Sequence, residues 1–164
     1  GPYPIGYHGL GEVFVFIFFG PVAVCGTFYV QGLKLTLHPW IASIPIGFLA
    51  VAILVVNNLR DLKTDKKTGK RTIAVRFGKK ATQREYLLLL LISFAIPVLL
   101  VLFKLASYWL FLPLLAMPLA LKLIKEIYTL EGAALNITLA KTAQLELIYS
   151  LLYSIGYLLN NLLI

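Results

Sequence analysis

Five apolar segments, each roughly twenty residues long, fill most of this chain: residues 12–30, 40–58, 85–103, 108–124 and 145–161. A transmembrane α-helix needs about twenty apolar residues to cross the hydrocarbon core of a bilayer. Hydrophobic residues make up 60% of the 164 residues, and the mean hydropathy is +0.87. These features predict an all-α integral membrane protein with about five transmembrane helices, in one domain covering residues 1–164.

The basic residues are clustered, and this clustering predicts the orientation of the chain in the membrane. Ten of the fifteen Lys and Arg residues lie between Arg60 and Arg84, and three more follow in a later loop on the same predicted side. The opposite side carries only Lys34 and Lys104. Because basic loops stay on the cytoplasmic side, residues 57–84 are predicted to form a cytoplasmic loop at the inner (cell) membrane. Membrane topology thus explains the net charge of +8 without a nucleic-acid partner.

The cytoplasmic loop contains the only two aspartates of the sequence, Asp61 and Asp65. If the preceding helix continues, Asn57, Asp61 and Asp65 lie on one face, with neighbouring side chains about 6 Å apart. Two carboxylates at that spacing suit a magnesium ion, Mg²⁺, which prefers oxygen ligands and shares its remaining sites with water and phosphate. Six cations surround the pair and favour further anionic charge: Arg60, Lys63, Lys66, Lys67, Lys70 and Arg71. The alternative is an ordinary basic loop in which the aspartates only reduce the charge.

Residues 1–11, GPYPIGYHGLG, contain enough Gly and Pro to predict a loop. The loop carries Tyr7 and His8, which suit either a membrane interface or part of a substrate-binding cap. The single cysteine, Cys25, lies in an apolar segment, which excludes a disulfide framework and a Cys/His metal cluster. The chain begins at Gly1 without a signal peptide, and we expect it to be a piece of a longer protein.

The pattern NNLRDxxxDKxxGKRT at residues 57–72 resembles the second aspartate-rich motif of the UbiA superfamily of intramembrane aromatic prenyltransferases. Together with GPYPIGYHGLGE at residues 1–12, it is most similar to the 1,4-dihydroxy-2-naphthoate polyprenyltransferases of menaquinone biosynthesis. The resemblance implies a bundle of nine transmembrane helices around a cavity, of which this chain supplies helices five to nine. It also implies two substrates, a polyprenyl diphosphate and 1,4-dihydroxy-2-naphthoate. The ring carboxylate is lost during transfer, and the product is demethylmenaquinol.

The same resemblance assigns roles to individual residues. Asp61 and Asp65 would hold Mg²⁺ with help from Asn57, and Tyr7 and His8 would be catalytic residues at the naphthoate. The diphosphate would be bound by the basic residues of the motif, namely Arg60, Lys66, Lys70 and Arg71. The first aspartate-rich motif of the family has no counterpart in this chain. We therefore expect the chain to be inactive until it is joined to the N-terminal helices that carry that motif.

Two alternatives remain open from the sequence. Another member of the superfamily would transfer the prenyl group to 4-hydroxybenzoate, haem or a chlorophyll precursor. A non-enzymatic membrane subunit would instead use the basic loop to bind anionic lipid headgroups. Charged residues lie only at the ends of the predicted spans, which favours chemistry at one membrane surface over transport through the bilayer.

Overall fold

The computed structural model describes residues 9–162, and all regular elements within that range are helical, as predicted. The six α-helices are α1 (Gly11–Gly32), α2 (Leu37–Arg60), α3 (Leu62–Lys67), α4 (Ile73–Leu102), α5 (Met117–Thr129) and α6 (Leu135–Leu162). Two 3-10 helices, Tyr108–Ala116 and Gly132–Ala134, precede α5 and α6 respectively. Among the described residues, α1, α2 and α4 are long and apolar enough to cross a membrane.

Helix α2 lies at the centre of the bundle and packs against α1, α4 and α6. Its sequence is apolar on every side, as expected for a helix that is surrounded by other helices. Leu49, Ala52 and Val56 are completely buried in the core. The central position matters because the C-terminal end of α2 carries the aspartate motif.

Helix α1 approaches α2 closely at Gly20 and Gly47. A Cβ atom on Gly20 would lie 2.8 Å from the carbonyl oxygen of Ser43, so only glycine fits there. Pro21 lies one residue later in a π-helical turn, Phe18–Val22, because a proline has no N–H to donate within the helix. The small residues allow the close packing that is typical of membrane helices.

The predicted loop 57–84 is largely helical. After α3, the side chain of Thr72 caps the start of α4 by accepting a hydrogen bond of 3.3 Å from the Val75 N–H. Gly78 kinks α4 with a φ of 79°, and the helix then continues. Thr82, whose spacing to Glu85 suggests a helix cap, lies inside α4 and donates to the Gly78 carbonyl, so this interpretation is wrong.

The last two segments also differ from the prediction in their bounds. Residues 108–116 form a 3-10 helix with Pro113 inside it, and α5 starts with Pro118 in its first turn. Helix α6 starts at Leu135, ten residues before the predicted span. As a result Glu146 lies well inside α6, about 16 Å along the axis from its start, rather than at a helix end.

The tyrosines of α6 pack in the core, as their helical spacing indicates. Tyr149 is completely buried and donates a hydrogen bond of 2.6 Å to the Ser93 carbonyl. Tyr153 is also buried, while the Tyr157 ring stacks on His38 with centroids 3.9 Å apart. These contacts fix α6 against α2 and α4 and so determine which face of α6 is turned toward α1.

Candidate active site

The aspartate motif begins at the end of α2, where Asp61 separates α2 from α3. The Asp61 N–H donates to the Asn57 carbonyl at 3.0 Å, and the Asp65 N–H donates to the Asp61 carbonyl at 2.8 Å. The helical spacing therefore continues through the break, and the three residues follow one another at successive turns, as predicted. Their side chains, however, are held by different partners.

Asp61 forms a bidentate ion pair with Arg60. The guanidinium Nε donates to Oδ1 at 2.8 Å, and Nη2 donates to Oδ2 at 2.7 Å. The hydrogen bonds from Arg60 lower the pKa of Asp61 below its ordinary value, although partial burial acts in the opposite direction. The Asp61 carboxylate is therefore ionised at neutral pH, which is the form that binds a metal ion.

Arg60 also connects two helices that are distant in the sequence. Its Nη2 donates to the side-chain oxygen of Asn57 at 2.8 Å, and its Nη1 donates to that of Asn136 on α6 at 3.0 Å. One guanidinium thus fixes Asn57, Asp61 and Asn136 relative to one another. This is the planar multi-donor geometry for which arginine is suited and lysine is not.

Asp65 is only 4% exposed and pairs with Lys70, whose Nζ lies 2.8 Å from Oδ1. The turn that returns Lys70 to Asp65 passes through Gly69, which has a φ of 75°, and the Lys70 N–H donates to the Asp65 carbonyl at 3.1 Å. The second carboxylate oxygen, Oδ2, is buried and has no hydrogen-bond partner among residues 9–162. A buried oxygen of this kind calls for a partner, and a hard cation such as Mg²⁺ is one that it suits.

Asp61 and Asp65 are the candidate metal ligands of the aspartate motif. Residues 9–162 contain no group of three or more His, Cys, Asp and Glu side chains that is suited to a metal ion. Asp61 and Asp65 thus supply oxygen ligands of the right type for Mg²⁺, and the remaining positions would be filled by water, by phosphate or by other protein groups. Lys66 and Arg71 are exposed at the surface beside this pair.

The described end of the N-terminal motif, residues 9–12, lies directly beside the aspartate motif. Glu12 is 7% exposed and Asn58 is 6% exposed, and the Asn58 Nδ2 donates to the Glu12 Oε1 at 2.8 Å. Gly9 packs so tightly that a Cβ atom there would lie 2.6 Å from the Arg71 carbonyl oxygen. Tyr7 and His8 lie outside the described residues.

An apolar groove opens beside the aspartate motif, between α1 and α6 and along α2. Its volume is about 540 Å³, and Asn57 and Asn136 are among the residues that line it. Its walls are formed mainly by apolar side chains, among them Val15 and Phe19 of α1, Ala50 and Leu54 of α2, and Leu139 and Ala143 of α6. Glu146 is the one acidic residue of this lining.

A smaller cavity of about 200 Å³ is lined by Arg60, Lys63, Lys79 and Glu131, among others. Lys79 and Glu131 form an ion pair there, and the hydrogen bond from Lys79 lowers the pKa of Glu131. Arg60 lines the smaller cavity, whereas its partners Asn57 and Asn136 line the apolar groove. The Arg60 guanidinium therefore lies between a cationic cavity and an apolar groove.

These contacts bring the carboxylates of the motif, the basic residues around them and an apolar groove together at one end of the helical bundle. A model of the UbiA prenyltransferase family matches residues 2–157 of the chain. The chain belongs to the UbiA prenyltransferase family.

Three curated relatives show how similar this UbiA family chain is to known proteins and how much of each protein it covers. It is 36% identical over 162 residues to the 1,4-dihydroxy-2-naphthoate octaprenyltransferase of Escherichia coli (strain K12), covering 98% of the chain and 53% of that protein. It is 43% identical over 124 residues to the Mycobacterium leprae protein of the same name, covering 76% of the chain and 41% of that protein. It is 34% identical over 153 residues to the UbiA prenyltransferase domain-containing protein 1 of Mus musculus, covering 93% of the chain and 44% of that protein. The chain thus spans about half the length of these curated relatives.

Family membership and the three membrane-length helices together identify this UbiA family chain as part of a multi-pass membrane protein. The structure also adds residues to the site that the sequence analysis did not select: Glu12, Asn58, Asn136 and Glu146. Asn136 and Glu146 come from α6, more than seventy residues after the motif, and no local pattern marks them. Glu12 was part of a recognised motif, but its buried contact depends on how α1 packs against α2.

Proposed function

We propose that this chain is the C-terminal part of a Mg²⁺-dependent prenyltransferase that transfers a polyprenyl group from its diphosphate to 1,4-dihydroxy-2-naphthoate. The ring carboxylate is lost during transfer, and the product is demethylmenaquinol. The observation that carries this proposal is the pairing of Asp61 with Arg60 and of Asp65 with Lys70, with Arg60 also hydrogen-bonded to Asn57 and Asn136 in the lining of the apolar groove. The names of the E. coli and M. leprae relatives support the choice of acceptor.

The charged residues of the motif have separate tasks in this proposal. Asp61 and Asp65 would hold Mg²⁺, which when bound supplies positive charge to the departing diphosphate. Arg60, Lys66, Lys70 and Arg71 bind the diphosphate oxygens through charge-assisted hydrogen bonds, which lowers the free energy of the leaving group. Arg60 and Lys70 are suited to this task because they already lie within hydrogen-bond distance of the two carboxylates.

The reaction also requires that the allylic cation be shielded from water, and the groove supplies this shielding. As the carbon–oxygen bond of the allylic diphosphate breaks, positive charge develops on carbon and must be kept away from water. The apolar walls of the groove exclude water, and Phe19 supplies an aromatic ring of the kind that stabilises a cation. The prenyl chain would extend along the groove between α1 and α6 toward the lipid.

Tyr7 and His8 are proposed to act on the acceptor. The ordinary pKa of histidine lies near neutrality, so His8 suits either deprotonation of a naphthoate hydroxyl or pairing with the ring carboxylate. The family motif supports this assignment, as does the position of Gly9 against the Arg71 carbonyl. A full-turnover His8→Ala variant with unchanged acceptor affinity would contradict it.

The proposal extends to topology and to the rest of the protein. Five spans, formed by α1, α2, α4, the segment 108–129 and α6, correspond to the last five of nine helices. The excess of basic residues supports a cytoplasmic position for the aspartate motif, at the inner membrane. Because the relatives are about twice as long as the matched region, the active unit is proposed to include N-terminal helices that carry the first aspartate-rich motif.

The acceptor is tested by competition in a protein that joins this chain to the N-terminal half its relatives carry. Labelled polyprenyl diphosphate is supplied with 1,4-dihydroxy-2-naphthoate and 4-hydroxybenzoate at equal concentration, and the products are identified by mass. We expect prenylated naphthoquinol that has lost its carboxylate. Transfer to 4-hydroxybenzoate alone would overturn the acceptor, and diphosphate binding without transfer to either would favour a lipid-binding subunit.

A further inference from the structure

We propose that Glu146 binds a ring hydroxyl of the aromatic acceptor and carries its proton during the transfer. This inference rests on the proposed function and adds a residue that neither the motifs nor the metal site includes. It leaves His8 the second role proposed for it, pairing with the ring carboxylate. The juxtaposition that supports it is a carboxylate on α6 facing an apolar groove that reaches the aspartate motif.

Among the glutamates, Glu146 is the one placed in the lining of the apolar groove. Glu12 accepts from Asn58, Glu126 accepts from Thr138 and Lys141, and Glu131 pairs with Lys79. Glu146 is half-buried and forms no hydrogen bond or ion pair with any residue in the range 9–162. Glu85 also has no hydrogen-bond partner among the described residues, and its Oε2 is buried, but it does not line the groove. A carboxylate in apolar surroundings is costly unless it has a partner, and such residues in membrane proteins mark functional sites.

Within residues 9–162, the lining of the groove contains no titratable side chain besides Glu146. Helix α1 contributes Val15 and Phe19, and α2 contributes Ala50, Ile53, Leu54 and Asn57 to its lining. Arg60, whose partners Asn57 and Asn136 line the groove, is already hydrogen-bonded to both of them and to Asp61. We therefore infer that a bound ligand supplies the polar partner of Glu146.

The chemistry of this lining fits a hydroxylated aromatic ring. A cavity of about 540 Å³ is in the range of small-molecule sites. Side chains of an α-helix lean toward its N-terminus, so Glu146 leans toward the end of α6 at which Asn136 accepts a hydrogen bond from Arg60. A ring held there presents its hydroxyl to Glu146 while the carbon that reacts faces the allylic diphosphate.

During prenyl transfer, Glu146 first accepts a proton from the acceptor and then returns it. A bond forms between the allylic carbon and the ring carbon that bears the carboxylate, and the diphosphate leaves with the electron pair of the broken carbon–oxygen bond. The proton of the adjacent hydroxyl passes to Glu146, and that ring oxygen becomes a carbonyl. Loss of CO₂ then returns an electron pair to this oxygen, which takes the proton back from Glu146.

A comparison of two ligands tests the contact in the protein with its N-terminal half. Two ligands are compared, 1,4-dihydroxy-2-naphthoate and its methyl ether, in which the hydroxyl next to the carboxylate is methylated. The affinity of each ligand is measured for wild type and for Glu146→Gln. A hydrogen bond to a charged group corresponds to about a tenfold to hundredfold preference for the free hydroxyl. We expect that preference in the wild type and its loss in Glu146→Gln.

Turnover gives the second readout. We expect Glu146→Gln to lower kcat by about a hundredfold or more, with KM for the polyprenyl diphosphate unchanged, and Glu146→Asp to recover part of that loss. Gln144→Leu, at an exposed position two residues away that does not line the groove, is the matched control and should retain wild-type kcat.

Three results would overturn the proposal: an unchanged ligand preference in Glu146→Gln, a wild-type kcat in that variant, or a Glu146→Asp variant no more active than Glu146→Gln. Failure of the proposed function has a different signature. The wild type would then transfer no prenyl group to the naphthoate, whatever residue stands at position 146.

Discussion

Glu12 and Asn58 form a buried hydrogen bond of 2.8 Å that joins the two sequence motifs of this chain. Glu12 closes the N-terminal motif, and Asn58 lies in the aspartate motif beside Asn57. The bond fixes α1 to the end of α2 just before Arg60 and Asp61. It therefore connects the start of α1 to the end of α2 that carries the aspartates proposed to bind Mg²⁺.

We expect Glu12→Ala to lower the free energy of unfolding by about 1–3 kcal/mol, because the buried Asn58 amide loses its acceptor. Glu12→Gln retains a side-chain oxygen that can accept the same bond and should keep most of the stability. Thermal unfolding in detergent measures both variants. Equal destabilisation by Ala and Gln would show that the carboxylate, and not the hydrogen bond, is what stabilises this contact.

Arg60→Lys should weaken binding of a diphosphate in the presence of Mg²⁺, even though the charge is kept. A lysine cannot bond simultaneously to Asn57, Asp61 and Asn136. Asn136→Ala should weaken binding less, and its effect should largely disappear in the Arg60→Lys background, since the two residues share one contact. Asn161→Ala, at the other end of α6, is the control. Full additivity of the Arg60 and Asn136 effects would argue against the shared contact.

The ion pair of Asp61 predicts a pH dependence of stability. The pKa of Asp61 is lowered in the folded state. Its contribution to the free energy of unfolding is therefore present above the pKa that Asp61 has in the unfolded chain, and it is lost as the pH falls through the pKa of Asp61 in the folded state. The stability difference between wild type and Asp61→Asn should therefore shrink between about pH 7 and pH 3. Unfolding midpoints measured across that range test this, and a difference that stays constant with pH would contradict it.

Lys70→Ala should destabilise the protein by about 1–3 kcal/mol, because it leaves the buried Asp65 carboxylate without its cation. Mg²⁺ should restore part of that stability, since both metal and lysine neutralise the same group. Lys67→Ala, at an exposed position in the same turn, is the matched control and should change little. A Lys70→Ala variant that is as stable as Lys67→Ala, with and without Mg²⁺, would refute the role of the pair.

The sequence alone was sufficient to predict the helical class, the central apolar helices and the helical succession of Asn57, Asp61 and Asp65. These features depend on local periodicity and on i to i+4 spacing, which a single sequence carries. The contacts of Arg60 with Asn136 and of Glu12 with Asn58 depend instead on how distant helices pack. The same holds for Glu146. Its position in the groove depends on the start of α6 at Leu135 and on how α6 packs beside α1 and α2.

The central claim is that Asp61 and Asp65 form a metal–diphosphate site for prenyl transfer, and one assay tests it most directly. Transfer from labelled polyprenyl diphosphate to 1,4-dihydroxy-2-naphthoate is measured with and without Mg²⁺ in the protein with its N-terminal half, for wild type, Asp61→Asn and Asp65→Asn. We predict Mg²⁺-dependent transfer in the wild type and a loss of at least about a hundredfold in each variant. Wild-type rates in both variants, or transfer that is indifferent to Mg²⁺, would contradict the account.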